Sequence, residues 1–332
     1  MNKLAQSVRS SAFGAAVDKA AGSTKDVARK IKLCKRLFGA FESLGLIKTV
    51  IIYFLLITIG FVYLYPLLYM IINSFMTVDN LIDPAVNWVP TSFYLGNFKV
   101  AFGVLDFGRT IGYSLLISSV CAIVQTAIGA VAGYGFARFD FPCKGLLMVL
   151  LVATFIIPEQ VTMVPRYIMF NAYGMKDSLW PIFLPAAVGQ GIKGALFILV
   201  FVMFFKTYPK AFDEAAEIDG AGKIKVFLKI AMPMAIPAVV VSLIFSFVWN
   251  WNETFNISLY NKDIQTLPMQ LNIFVERYRE MYPTTDGSEV NRLNESIRMA
   301  ATLITIAPLI ALYIALQKQF VESIEKTGIT GE

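Results

Sequence analysis

No histidine occurs among the 332 residues, and the three cysteines, Cys34, Cys121 and Cys143, stand far apart. The first absence removes the commonest acid–base side chain, and the scatter of the cysteines frames neither a zinc site nor a disulfide scaffold. Enzymes built on those parts are largely excluded. Charge is scarce as well: Asp, Glu, Lys and Arg make up 16% of the chain, against about 25% in soluble domains. Residues 1–45 hold no sustained apolar run, so no short signal peptide is expected. Nor does any internal repeat, low-complexity tract or Gly/Ser linker divide the chain.

Apolar residues fill the remainder, at 57% of the chain and a mean hydropathy of +0.63. Crossing a bilayer takes about 20 such residues, because ~30 Å of hydrocarbon is spanned at ~1.5 Å per helical residue. Six stretches qualify, near 47–73, 111–135, 145–164, 180–205, 234–257 and 299–316. Helices are expected, since lipid cannot satisfy open backbone groups and the alternation of barrel strands is absent.

Residues 1–48 carry ten Lys and Arg against three Asp and Glu, which places that end in the cytoplasm. The connections after the first, third and fifth stretches then lie outside, with a summed charge of −2. The expected fold is an all-α membrane protein of six transmembrane helices, with cytoplasmic N- and C-termini and a cytoplasmic loop between helices four and five. Its net charge of +6 reads as a signal of topology and of contact with membrane lipid, with no nucleic acid partner. The chain divides into a basic N-terminal segment (1–45), a transmembrane domain (46–318) and a cytoplasmic tail (319–332). Within the first, "STKDVARKIKLCKRLFGAFESLGLIK" spaces apolar residues helically among Lys and Arg, as in a helix lying on the inner leaflet; a partly disordered polar tail is the other reading. The connection 258–298 is polar enough to stand in water over the outer mouth.

The loop "EAAEIDGAGKIKVFLKIAMP" (214–233) is a charged island. Pro209 suits a helix start, Phe212, Ala215, Ala216 and Asp219 share one face, Gly220 breaks the rod, and a second short helix runs toward Ile230 and ends by Pro233. The alanines permit close approach of a partner, and Glu214, Glu217 and Asp219 offer carboxylates to a basic groove. A merely solvated loop is the plainer alternative.

The spacing Glu-Ala-Ala, three residues, Gly220, nine residues, Ile230, two residues, Pro233 resembles the signature loop of permease subunits of binding-protein-dependent ABC importers. The resemblance covers residues 60–330 through "YPLLYMIINSF", "GYGFARFDFPCKG", "IIPEQVTMVP", "EAAEIDGA", "FVWNWNETF" and "TLPMQL" in the family's order, and points to the carbohydrate type, similar to the shorter permease subunit of maltose importers. Departures are Met232 for leucine, Cys143 for glycine, a long 272–298 connection and a loosely matching C-terminus.

The resemblance implies a bacterial or archaeal cytoplasmic membrane protein that pairs with a second permease subunit, as a heterodimer. Its other partners would be two ATPase subunits and an extracytoplasmic solute-binding protein that delivers a saccharide, with ATP and magnesium on the partner ATPase and no cofactor bound by this chain. The 209–233 loop would be the coupling helix, with Glu214, Ala215, Ala216, Asp219, Gly220, Ile230 and Pro233 facing or shaping the ATPase contact. "GAGK" (220–223) is no phosphate loop, since Glu217 and Ile224 break the required pattern.

Within the membrane, Gly129 and Gly133 with neighbouring alanines form a face for close helix packing. Glu159, Gln160 and Lys193 are candidates for a substrate path, because ionisable groups at membrane depth usually face a cavity or partner; an outer-interface position is the alternative. Trp249, Asn250, Asn252 and Glu253 suit sugar rings, and Trp is also the ordinary interfacial anchor. Competing with the importer reading are a secondary transporter or channel, which should show inverted repeats or paired intramembrane acids, and a membrane-embedded enzyme, which lacks a visible nucleophile–base pair.

Overall fold

The computed structural model describes Gly39–Ala40, Ser43–Leu44, 46–83, 89–283 and 294–329, with side chains through Gln319. Most of the stretch expected to form an amphipathic N-terminal helix lies outside those residues. Near its end Gly39–Ala40 (β1) pairs antiparallel with Ser43–Leu44 (β2), Gly39 opposite Leu44.

Contacts divide the chain into units 1–69 and 70–332. The first contains most of α1 (Leu46–Ser74), whose side chains are exposed almost throughout residues 46–69. Phe61, Tyr65 and Tyr69 sit one turn apart, with ring centroids 5.9 and 6.2 Å apart.

The second unit is almost entirely helical. After the end of α1 come α2 (Val78–Ile82), α3 (Gly96–Val104) and α4 (Phe107–Arg138). Asn97 fixes the entry to α3 by donating from Nδ2 to the carbonyls of Ser74 (2.9 Å) and Met76 (2.8 Å). No proline interrupts α4, so its 32 residues run for about 48 Å. The chain then turns through Cys143, whose φ of 60° lies in the left-handed region that glycine occupies most easily.

The next two apolar stretches each break into two helices. Residues 145–164 were expected as one helix, but α5 (Lys144–Ile156) and α6 (Glu159–Ala172) meet at 96°. Pro158 forces Ile157 into extended backbone, φ −64° and ψ 123°. Residues 180–205 likewise divide into α7 (Trp180–Ala187) and α8 (Gly194–Thr207). Between them Gly189 (φ 74°) and Lys193 (φ 54°) adopt left-handed backbone.

A 74° bend leads into α9 (Ala211–Ile218). The second loop helix runs without a gap from Lys223 to Met234: α10 (Lys223–Val226) widens into a π-turn over Phe227–Ala231. The run closes with α11 (Met232–Met234), one residue past Pro233, and the chain turns at Ala235 into α12 (Ile236–Trp251), 75° away. A proline lacks the N–H that would bond one turn back, and a widened turn before it accommodates the loss. Then follow α13 (Phe255–Tyr260), α14 (Leu267–Asn272), α15 (Phe274–Met281) and α16 (Glu295–Ile329).

Among the described residues three helices, α1, α4 and the 295–319 part of α16, are long and apolar enough to cross a membrane singly, and the three bent pairs raise the number of spans to as many as six. The cores follow from α4. Its Gly129 and Gly133 admit Phe197 and Phe201 of α8, so the small-residue face finds its partner there. Further along, Ala122 joins Trp251, Leu267, Phe274, Tyr278 and Ile297 in one buried cluster. Where described, the connection 258–298 also has buried apolar side chains: Leu267 of α14 and Phe274 and Tyr278 of α15 join that cluster with residues of α3, α12 and α16.

Candidate functional site: a polar cavity and an exposed loop

A cavity of about 500 Å³ opens among α4, the α5–α6 break, α7, the 188–193 turn and the end of α12 with α13. Each irregular joint contributes polar groups. The Pro158 break presents Glu159 and Gln160, the glycine-rich turn presents Gln190 and Lys193, and the end of α12 presents Asn250 and Glu253. Glu253 is held by the start of α13, its Oε1 accepting from the Asn256 N–H at 2.7 Å. Arg166 completes a set of two cations and two carboxylates on the wall. Among the described residues, none of these four is within ion-pair distance of another.

Beneath them lies a buried relay. Asn250 donates from Nδ2 to the Ser246 carbonyl (2.8 Å), and Ser246 donates from Oγ to Gln125 Oε1 (2.6 Å). Gln125 is 2% exposed, lines the cavity, and its Nε2 has no hydrogen-bond partner among the described residues. Gly191 covers that amide: a β-carbon there would lie 2.0 Å from Nε2.

Five of the expected path residues, Glu159, Gln160, Lys193, Asn250 and Glu253, therefore share one cavity. Trp249 and Asn252 do not line it. Trp249 packs with Phe197 and Phe245, at centroid distances of 5.5 and 5.7 Å, and Asn252 is exposed, its Nδ2 donating to the Val248 carbonyl at 2.8 Å. Gln125 and Arg166 escaped the sequence reading. A lone amide midway along the apolar stretch 111–135 was the available signal for the first.

The loop forms a helix, a glycine corner and a helix. Ala221 N–H bonds to the Ala216 carbonyl (2.9 Å) and Gly220 N–H to Glu217 (3.0 Å), the paired bonds of a Schellman termination, with Gly220 at φ 79°. Ala216 is buried, while Glu214, Ala215 and Asp219 are exposed. Of the expected common face, Phe212, Ala215 and Asp219 are open to a partner and Ala216 is turned inward. Ile230 is half-buried and Pro233 exposed. Lys223 pairs with Glu217 across the corner. Apolar side chains stand open beside these charges: Ile218 is 87%, Ile224 76% and Leu228 59% exposed.

Residues 125–326 match the family described as "Binding-protein-dependent transport system inner membrane component". Similar proteins include Protein LplC of Bacillus subtilis, 27% identical over 82% of this chain and 91% of the relative. Another is the Arabinooligosaccharides transport system permease protein AraQ of Halalkalibacterium halodurans, 26% identical over 83% and 96%. The fold is similar to that in the crystal structure of a bacterial ABC transporter involved in the import of the acidic polysaccharide alginate. The TM-score is 0.58 and the identity 18%, with 82% of this chain and 96% of that one covered. The chain is a multi-pass membrane protein and belongs to the family of binding-protein-dependent transport system inner membrane components.

Proposed function

We propose that the chain is the permease subunit of an ATP-driven importer, translocating a sugar or oligosaccharide handed over by an extracytoplasmic binding protein. The observation that carries the coupling half of this reading is the exposed loop. Charged residues keep 209–233 out of hydrocarbon, yet Ile218, Ile224 and Leu228 stand open there, and large apolar side chains gathered on one loop outside lipid mark an interaction site. In this reading the loop seats in a separate ATPase subunit, Glu214, Ala215 and Asp219 face it, and Gly220, Ile230 and Pro233 set its shape. ATP and magnesium reside on that partner.

The cavity supports the transport half. Amides, carboxylates and cations around apolar surface form a wall that exchanges hydrogen bonds with hydroxyl-rich solutes. The named cargo of relatives, arabinooligosaccharides and polygalacturonan or rhamnogalacturonan, belongs to that chemical class. Rocking between inward-open and outward-open states requires contacts that differ between two ATPase conformations, and a rigid helical loop between spans supplies them. The same reading sets both termini in the cytoplasm of a bacterium or archaeon, 46–318 as the permease domain, and a second permease subunit across the path.

Reconstitution tests the reading. Vesicles holding this chain, its paired permease and ATPase subunits should take up labelled neutral or uronic oligosaccharides only with ATP and the binding protein. Accumulation by this chain alone, driven by an ion gradient, would overturn it.

A further inference from the structure

We propose that Arg138 is a positioning residue that locks the loop to α4, so that loop displacement reaches the cavity wall through a span that does not adjoin the loop in sequence. The inference rests on the coupling role proposed above for 209–233.

Arg138 ends α4, and its guanidinium meets the loop in three ways. Nη2 donates to the Tyr208 carbonyl at 2.6 Å. Nε lies 3.3 Å from Asp213 Oδ2, at ion-pair distance without hydrogen-bond alignment. The guanidinium carbon stands 3.8 Å over the centre of the Tyr208 ring. Tyr208 closes the triangle by donating from its hydroxyl to Asp213 Oδ1. Only 6% of the Arg138 side chain and 13% of the Asp213 side chain are exposed. The pairs Lys144–Asp140, Lys223–Glu217 and Arg298–Glu295 join residues close in sequence and are more exposed.

A planar guanidinium presents donors in several directions and stacks on a ring, whereas an ammonium acts as a point charge. One turn above, Tyr134 packs edge-on to Phe205 of α8 at 5.2 Å and against Phe227 of the π-turn at 5.0 Å. The base of α4, α8 and both halves of the loop thus form one packed body. From Arg138 the same helix continues to Gln125, about 20 Å away, at the cavity. A helix transmits an axial or lateral shift over that length without absorbing it, provided its base is fastened.

The test uses the full permease assembly with its ATPase subunits in nanodiscs, with Cys34, Cys121 and Cys143 replaced by serine. Gln160→Cys then reports cavity access by its rate of maleimide labelling, with and without ATP. The parent assembly should show an ATP-dependent change in that rate. In Arg138→Ala the change should fall at least fivefold while ATPase subunits remain bound and hydrolysis continues, and amide exchange in 209–222 should rise at least tenfold. Arg138→Lys should fall between, and the swapped pair Arg138→Asp with Asp213→Arg should restore part of the change. Lys144→Ala, which removes an exposed pair, should match the parent.

Normal ATPase retention with unchanged labelling and exchange in Arg138→Ala overturns the Arg138 proposal alone. Should that variant not fold, unchanged behaviour of Arg138→Lys and Asp213→Asn overturns it equally. A parent assembly that retains no ATPase overturns the coupling reading, and this proposal with it.

Discussion

A β-carbon on Gly133 would stand 2.4 Å from the β-carbon of Phe201 and 3.0 Å from two backbone atoms of α8. The two helices approach to a distance that only glycine permits, and dispersion across that seam has to do what the hydrophobic effect does in water.

Gly133→Ala should therefore force α4 and α8 apart, destabilising the protein by about 1–3 kcal/mol as overpacking does. Gly129→Ala should cost less, since its nearest neighbour is the edge of the Phe201 ring at 3.3 Å. Gly112→Ala, with nothing within 4 Å, should be neutral or better. Thermal unfolding midpoints of the three variants in one detergent give the ranking.

Gly220 makes the opposite case. A β-carbon there would meet nothing within 4 Å, yet φ is 79°, so the demand is on backbone conformation and not on space. Gly220→Ala should weaken the Schellman corner by about 1 kcal/mol, and Gly220→Asn by less, since asparagine tolerates left-handed backbone. Amide exchange at Gly220 and Ala221 reads the difference.

Between Gly191 and Gln125 the expected result is non-additivity. Gly191→Ala presses on the Gln125 amide and should destabilise the protein by about 1–3 kcal/mol. In a Gln125→Ala background the same change should cost much less, because residues in contact couple. A thermodynamic cycle over the four proteins checks this, and additive costs would show that the two do not press on each other.

Ile218→Ser should leave the stability of the chain within about 0.5 kcal/mol, as expected of an exposed position without polar partners among the described residues. Co-purification with the ATPase subunits should fall several-fold in the coupling reading. Full retention would move the contact away from this face.

The sequence made some of this legible and concealed the rest for identifiable reasons. Long uninterrupted apolar runs made α1, α4 and α16 readable. The breaks after Ile156 and Ala187 were not, because a window of about 20 residues averages Pro158, Glu159 and Gln160, or Gly189 and Gly191, into the surrounding apolar run, and hydropathy carries no direction. Trp249 and Asn250 show the next limit: neighbours on a helix point about 100° apart. One faces aromatic packing and the other the cavity, so a cluster in sequence did not become a cluster in space. The Arg138–Asp213 contact had no periodicity to betray it. A positive residue at the end of an apolar span is expected on topological grounds, which hid one that is also held in place.

The breaks at Ile157–Pro158, at 188–193 and after Trp251 all lie on the wall of the same cavity. Helix ends leave carbonyl and N–H groups without intrahelical partners, and hydrocarbon offers them none. Some of these groups bond locally, as Gln190 N–H does to the Pro185 carbonyl (2.8 Å) and Asn256 N–H to Glu253, and the polar wall of the cavity is there to solvate the others. The hollow is consequently a component of the folded state in its own right: a substitution that filled it with apolar side chains would strand backbone dipoles and strike at stability before it obstructed any passing solute.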